Sequence, residues 1–432
     1  MILNFSIQNF GPIKEKQTLS FEADKSTHLE DAYVITIKGQ RILKIALIYG
    51  ANASGKTTVL KALNFLRDLV LKPKSKKTEE LDFKPFLFDA NTPRKNSFFS
   101  LEFYQNEIKY LYEVEYYSKA IVSEELYFYS PNKANIFKRK TNLERQFTEI
   151  SFGSKIKKDK TFEKTLASNT LWNNTVLGGY LKTNIEFNEL QEVVDWFENY
   201  LKPIVLAQTD LENFVTQKIH FKEISDLDVV SILKKADLNI SNILIEEKIE
   251  ILPDGMIDFL KKTQAAPNDE IKKIEEQGIM RRIIHALAHE VNNVTYPLPW
   301  EEESQGTRRY YGLAGLLVFL LSTPKIVPID ELESSLHPDL FQHFLLSFLL
   351  NSHNSQLIAT THNREIFDNK DIFRNDAIWF TDKSGSSATE LYSLADFGST
   401  VVRDTTNILN AYKSGKLSGI PNLRDPYIDI ES

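Results

Sequence analysis

Ile45-Ala46-Leu47-Ile48-Tyr49-Gly50-Ala51-Asn52-Ala53-Ser54-Gly55-Lys56-Thr57-Thr58 is the most constraining stretch of the 432-residue chain. Its five-residue apolar run suits a strand buried on both faces. Beyond the loop, Leu60, Leu63, Leu66 and Leu69 recur at helical spacing as far as Leu71. Between strand and helix, residues 50–57 match G-x-x-x-x-G-K-[ST] at every fixed position. Glycines let backbone N–H groups close around phosphate oxygens, and the helix amino terminus adds positive potential. Lys56 is expected to reach the β and γ phosphates of a bound nucleotide, and the Thr57 hydroxyl to bind Mg²⁺. Gly50, Asn52, Ser54, Gly55 and Thr58 complete the expected cradle. A fortuitous glycine turn would not need both flanks.

Three stretches near the other end carry compatible chemistry. Lys325-Ile326-Val327-Pro328-Ile329-Asp330-Glu331 is a short apolar strand ending in two carboxylates. Asp330 would hold the Mg²⁺ shell, and Glu331 would orient and deprotonate a water. Without the loop, the same pair would read as a solvated strand end. Glu303-Ser304-Gln305-Gly306-Thr307 precedes a nearly all-apolar helix running through Leu321, so Ser304, Gln305 and Gly306 form a second anion site. Gln356-Leu357-Ile358-Ala359-Thr360-Thr361-His362 is a strand whose terminal His could hydrogen-bond a γ-phosphate or be an ordinary surface imidazole.

In that order, the four pieces resemble the ATP-binding-cassette type of ATPase, a group that includes the chromosome-maintenance, recombination-repair and overcoming-lysogenisation-defect proteins. Asp330 to Pro338 (DELESSLHP) and Asn9-Phe10-Gly11 look closest to the ABC-like AAA-type ATPases of bacterial phage defence, the RloA-type abortive-infection and PARIS AriA-like ATPases among them. Ala236 to Ile240, Arg374 to Phe380, and the tail from Tyr412 to Pro421 look like segments of the same family. The resemblance implies a head-to-tail nucleotide sandwich. Ser304 and Gly306 of one protomer would contact the γ-phosphate bound to Lys56 of another, so that two ATP molecules close a homodimer or larger homo-oligomer. Ser334 to His337 would cross that interface, and His362 would sense the γ-phosphate. The family's glutamine coupling nucleotide to the accessory lobe has three candidates, Gln105, Gln146 and Gln208.

Outward from these motifs, residues 2–8 and 17–21 read as strands around Gly11-Pro12. Phe99, Leu101 and Phe103, then Tyr112, Val114 and Tyr116, alternate with polar residues around Gln105-Asn106-Glu107. A second pair, Ile121 to Tyr129 and Asn135 to Lys138, flanks Pro131-Asn132-Lys133. Residues 160–245 read as mostly helical. Leu190, Val193, Val194, Phe197 and Leu201 form one stripe, and Leu227, Val230, Ile232 and Leu233 mark a second helix. Pro253-Asp254-Gly255 reads as a turn and Thr263 to Asp269 as a loop. The expected architecture is α/β: an ABC-type ATPase head with an antiparallel β lobe and an inserted helical subdomain. Its divisions are 1–159, 160–290 (mainly helical) and 291–432.

Composition narrows the alternatives. Lys+Arg 52 against Asp+Glu 59 gives −7, which argues against a chain that coats nucleic acid everywhere. With no cysteine there is no disulfide framework, thiolate zinc site or Cys nucleophile. The longest apolar run, Gly312 to Leu321, is about half a membrane span, and residues 1–10 lack a signal-peptide pattern, so a cytoplasmic protein with no membrane partner is expected. His285 and His289, four apart on an expected helix, lack the metalloprotease order because Ala286 follows the first. Residues 132–164 hold ten Lys or Arg against four acids, interleaved with Phe137, Phe147, Phe152 and Phe162. They read equally as a nucleic-acid or partner surface and as a solvated hairpin. Seventy residues follow His362, with Asp429 and Glu431 too isolated for a two-metal site, so no built-in nuclease is expected. The leading expectation is an ATP-hydrolysing engine that senses a phage protein or nucleic acid and controls a separate effector protein. The alternative is a repair-type ATPase acting directly on DNA or RNA.

Overall fold

A computed structural model describes residues 1–157, 160–251, 255–263, 268–383, 385–397, 407–417 and 419. Contacts divide the chain into two units, residues 1–208, 323–334 and 346–432, and residues 209–322 and 335–345.

The first unit is built on two sheets. The central one places Ile326–Ile329, Gln356–Thr360, Ile45–Gly50 and Ile378–Lys383 in parallel, with Thr389–Ser393 antiparallel at the edge. All six residues of Ile45–Gly50 are buried, as a strand covered on both faces requires. The other sheet is a seven-stranded antiparallel lobe, in spatial order Phe147–Phe152, Lys133–Asn142, Ala120–Tyr129, Ile108–Tyr117, Ser97–Gln105, Ile2–Gln8 and Gln17–Ser20. The hairpin of Ser97–Gln105 and Ile108–Tyr117 turns at Asn106-Glu107, both at positive φ, a geometry that matches the strands' twist. Phe99, Leu101, Phe103, Tyr112, Val114 and Tyr116 are buried, so the period-two reading names the inner face correctly.

The helix Lys56–Leu71 joins the two sheets. It touches Ile45–Gly50, Gln356–Thr360 and Ile2–Gln8, and its Phe65 ring meets Phe10, Phe99 and Tyr116 at centroid distances of 5.8, 6.0 and 5.1 Å. Leu60, Leu63, Leu66 and Leu69 are all buried along it. Burying such a side chain stabilises the fold by about 1.5–3 kcal/mol. The phosphate-loop helix is therefore fixed in place by the core.

The second unit pairs helices with a three-stranded antiparallel sheet, Ile240–Ile251, Ile279–Val291 and Val294–Pro299. The apolar run becomes the helix Gln305–Ser322, which packs on Leu211–His220. A Cβ on Gly315 would lie 2.3 Å from the Val215 side chain, so glycine is what allows the two helices to approach there.

The expected divisions need correction. Helices Lys160–Asn169, Val176–Leu181 and Asn188–Asp195 belong to the first unit, where Leu190, Val193, Val194, Phe197 and Leu201 are buried. The second unit begins at Thr209, and its 240–251 and 279–299 portions are strands. His285 and His289 thus stand on a strand, where cross-strand pairing overrides the helical look of Ala286-Leu287-Ala288. In the helix Asp226–Lys235, Leu227 is exposed and Val229 takes its expected buried place. Residues 252–254, 264–267, 420, 421, 429 and 431, which include parts of the expected turn, loop and tail, lie outside the described residues. No helix among the described residues is long and apolar enough to cross a membrane.

Candidate functional site

In the parallel sheet, Gln356–Thr360 lies between Ile45–Gly50 and Ile326–Ile329. The phosphate loop, His362 and the Asp330-Glu331 pair consequently emerge at the carboxyl ends of three neighbouring strands, where open α/β sheets collect ligands. A cleft of about 270 Å³ opens there, lined by Pro12, Ala53, Ser54, Gly55, Lys56, Thr57 and Thr58.

The loop's conformation depends on its residue types. Gly50, Ala53 and Gly55 have φ of 156°, 62° and 107°. A Cβ on Gly55 would lie 2.4 Å from the Thr389 hydroxyl, so a side chain there would displace the strand beneath. Ser54 Oγ bonds Thr381 Oγ1 at 2.6 Å, and Thr389 Oγ1 donates to the Ser54 carbonyl at 2.7 Å. These two threonines pin the loop to the edge of its own sheet.

Lys56 is buried and donates to the Gly50 and Ala51 carbonyls at 2.9 and 3.1 Å. Burial pushes its ammonium below the ordinary value, while Asp330, Glu331 and Glu333 work in the opposite direction. Thr57 Oγ1 donates to Asp330 at 2.9 and 3.2 Å, and Thr360 Oγ1 reaches the same carboxylate at 2.7 Å. This cluster of hydroxyl and carboxylate oxygens suits a hard cation such as Mg²⁺ that shares its shell with phosphates and water. Among the described residues, no group of three or more His, Asp or Glu side chains forms a metal cage.

Glu331 is exposed and has φ 50°, an uncommon conformation for a residue with a side chain, and its N–H donates to Thr360 Oγ1 at 2.8 Å. That bond holds the backbone while leaving the carboxylate in solvent. Loss of solvent around His362, then the nearby Lys56 charge, lowers the imidazole below its ordinary range, which keeps it neutral near pH 7.

The remaining expected residues belong to the second unit. Ser304 caps its helix by accepting the Thr307 N–H at 3.0 Å, and both Ser304 and Gln305 are exposed. A Cβ on Gly306 would lie 3.3 Å from the Ser335 carbonyl, a tight contact that a small shift would have to relieve. The two histidines are used locally. His289 bonds buried Glu303 at 2.6 Å, just before Ser304, and His285 lies 3.9 Å from the Trp300 ring centroid. Burial pushes His285 down to about 4, so it is neutral.

Several contributing residues escape a sequence reading. Thr360, Thr381 and Thr389 hold the site together, and the doubled threonine before His362 is a faint signal for the first. Asn9 is buried with φ 52° and is fully bonded. Its Nδ2 donates to the carbonyls of Thr92, Lys95 and Asn96, and its Oδ1 accepts the Phe86 N–H. It thereby ties Phe86 and the Thr92–Asn96 segment to the strand end that leads into the turn carrying Pro12, which lines the cleft. Within Arg374 to Phe380, Arg374 is buried and paired with Asp376 and Asp24 at 2.7 and 3.0 Å, which makes that segment a structural tie.

The basic stretch is partly consumed by packing. Arg139 is buried, donating to the Ile121 and Trp172 carbonyls, and Lys138 pairs with Glu125 at 3.3 Å. Phe137 and Phe162 are buried, Phe152 packs on Phe162, and Phe147 is exposed.

Sequence comparison now bears on the site. A family model described as "AAA domain, putative AbiEii toxin, Type IV TA system" matches residues 45–368, from the phosphate-loop strand to beyond His362. The chain belongs to that AAA-domain family. No curated protein matches it by sequence. Among solved structures it is similar to the SMC head bound to the C-winged helix domain of ScpA, at TM-score 0.47 and 12% identity over 91% of this chain and 97% of that one. It is also similar to the SMC head domain from Thermotoga maritima, at TM-score 0.40 and 11% identity over 91% and 98%. A third, the Smc head with an extended coiled coil bound to the C-terminal domain of ScpA derived from Pyrococcus furiosus, has TM-score 0.41 and 11% identity over 91% and 96%. The functional reading of this AAA-domain protein rests on the family and on the geometry of its own site.

Proposed function

We propose that this protein is an Mg-ATP-hydrolysing ABC-like ATPase whose nucleotides close a homodimer, and that closure controls a separate effector protein in anti-phage defence. The observation that carries the reading is the convergence of Lys56, Thr57, Asp330, Glu331 and His362 at the ends of three adjacent parallel strands.

Lys56, already desolvated, binds the β and γ phosphates in exchange for the Gly50 and Ala51 carbonyls. Thr57 and Asp330 are the residues that would hold Mg²⁺, which when bound would supply neutralisation of phosphate charge. Glu331 orients a water and takes its proton, and His362 hydrogen-bonds the γ-phosphate. Ser304 and Gly306 supply the helix amino terminus that contacts the γ-phosphate of the partner protomer.

Gln208 is the best candidate for coupling nucleotide to the accessory region. Leu201 and Val205 bridge in parallel to Ile326 and Ile329, the Val205 carbonyl accepts the Asp330 N–H at 2.8 Å, and Gln208 is the last residue before the second unit begins. Direct action on nucleic acid has less support, because Arg139, Phe137 and Phe162 are committed to the core.

Phosphate release from ATP tests the enzymatic core of the reading. The wild type should turn over ATP, and EDTA should stop it. Turnover that is indifferent to EDTA would remove the roles given to Thr57 and Asp330.

A further inference from the structure

Glu333 lies among the residues of the proposed ATP site without a part in the chemistry just described. Its Oε1 accepts the backbone N–H of His362. Just before it, Glu331 N–H reaches the Thr360 hydroxyl and Leu332 N–H reaches the Thr360 carbonyl at 3.1 Å. The Asp330–Glu333 turn is therefore tied at successive positions to the end of the neighbouring strand, the last time through a side chain. The other Glu333 oxygen, Oε2, is buried without a hydrogen-bond partner, as is the Tyr49 hydroxyl. An unpaired buried carboxylate oxygen is costly and persists where something else requires the group. Glu333 also differs from Glu331 in accessibility. The Glu331 side chain is exposed, whereas Glu333 has one oxygen committed to the backbone and one enclosed.

We infer that Glu333 is a positioning residue that clamps the His362 segment to the Glu331 turn, so that imidazole and base are presented to the same phosphate from a shared backbone. The inference rests on the ATPase reading above and deepens it. If it is right, the acceptor oxygen matters more than the charge. Glutamine keeps that oxygen, and alanine removes it.

The test compares Glu333→Ala and Glu333→Gln in the full chain by Mg-ATP turnover, ATP affinity and hydrogen exchange at the His362 amide. Glu333→Ala should lower kcat by about ten- to a hundredfold, the scale on which misplaced reacting groups act, and should speed exchange at His362. ATP affinity should stay within about twofold, since the phosphate cradle is intact. Glu333→Gln should restore most of both losses. Wild-type turnover in Glu333→Ala, unaccelerated exchange, or a Glu333→Gln protein as slow as the alanine variant would each overturn the assignment. If Glu333→Ala does not fold, Glu333→Asp replaces it, because a carboxylate one methylene shorter falls short of the same N–H. A wild type that neither binds nor hydrolyses ATP overturns the proposed function together with this assignment. A wild type that hydrolyses ATP alongside an unaffected Glu333→Ala overturns the assignment while leaving the function standing.

Discussion

The phosphate loop and the Ser304-Gln305-Gly306 turn are both helix amino termini suited to anions, but they are built differently. Around the loop, polar groups are held more than once: Lys56 by two carbonyls, Asp330 by two threonines, and Ser54 by Thr381 and Thr389. Ser304 is anchored by Thr307 of its own helix and otherwise faces solvent. The difference teaches which half of the proposed sandwich exists before assembly. On the proposed reading, the loop is held ready for a triphosphate within one protomer, and the exposed Ser304 turn would acquire its ligand only from another protomer.

The largest expected effect strikes the preorganised half. Lys56→Ala should weaken ATP binding by about a hundredfold or more, because charge-assisted hydrogen bonds to phosphate disappear from a desolvated site. Isothermal titration with ATP measures it, and retained affinity would make the loop's preorganisation irrelevant. Glu331→Gln should leave that affinity intact while lowering kcat by about 10²–10⁴-fold, the range for losing a general base. Unchanged turnover would mean that another group accepts the proton. Ser304→Arg probes the other half. ATP should still bind a single protomer, and turnover should fall by about a hundredfold, as when a phosphate-facing donor is lost. Normal turnover in that variant would erase the functional contrast between the two helix termini.

The smallest effect spares both regions. In the antiparallel lobe, Glu124 is buried, accepts from Tyr112 Oη at 2.8 Å and Val176 N–H at 2.7 Å, and is pushed by burial from the ordinary 4.5 up to about 7 despite Arg139. The folded protein therefore binds this proton more tightly than the unfolded chain does. Its stabilising contribution is complete below about pH 4.5 and is lost as pH rises towards 7. Relative to Glu124→Gln, the wild type should lose a few degrees of Tm between pH 5 and 8, on the scale of about 1–3 kcal/mol of linkage. A constant difference in Tm across that range would contradict the assignment.

How much of this was legible in the sequence follows the distance over which each feature is encoded. The loop, the Asp330-Glu331 strand end and the His362 strand end are contiguous patterns, and the parallel sheet brings them together as their order implies. The antiparallel lobe was legible for the same reason, since Phe99, Leu101 and Phe103 reveal their own period. The 240–299 sheet was not. Ile240–Ile251 alternates imperfectly, and Ile279–Val291 carries Ala286, Leu287 and Ala288, which favour helix in isolation. Their strand state comes from pairing across the intervening residues. Thr381 and Thr389 are similarly opaque, because each acts on Ser54 from more than 300 positions away along the chain.

The central claim is that ATP joins two protomers through a site neither completes by itself. Light scattering of Glu331→Gln with and without Mg-ATP tests it most directly, because this variant should bind nucleotide without consuming it. A mass that doubles when Mg-ATP is added is the predicted result. A mass that Mg-ATP leaves unchanged would contradict the account.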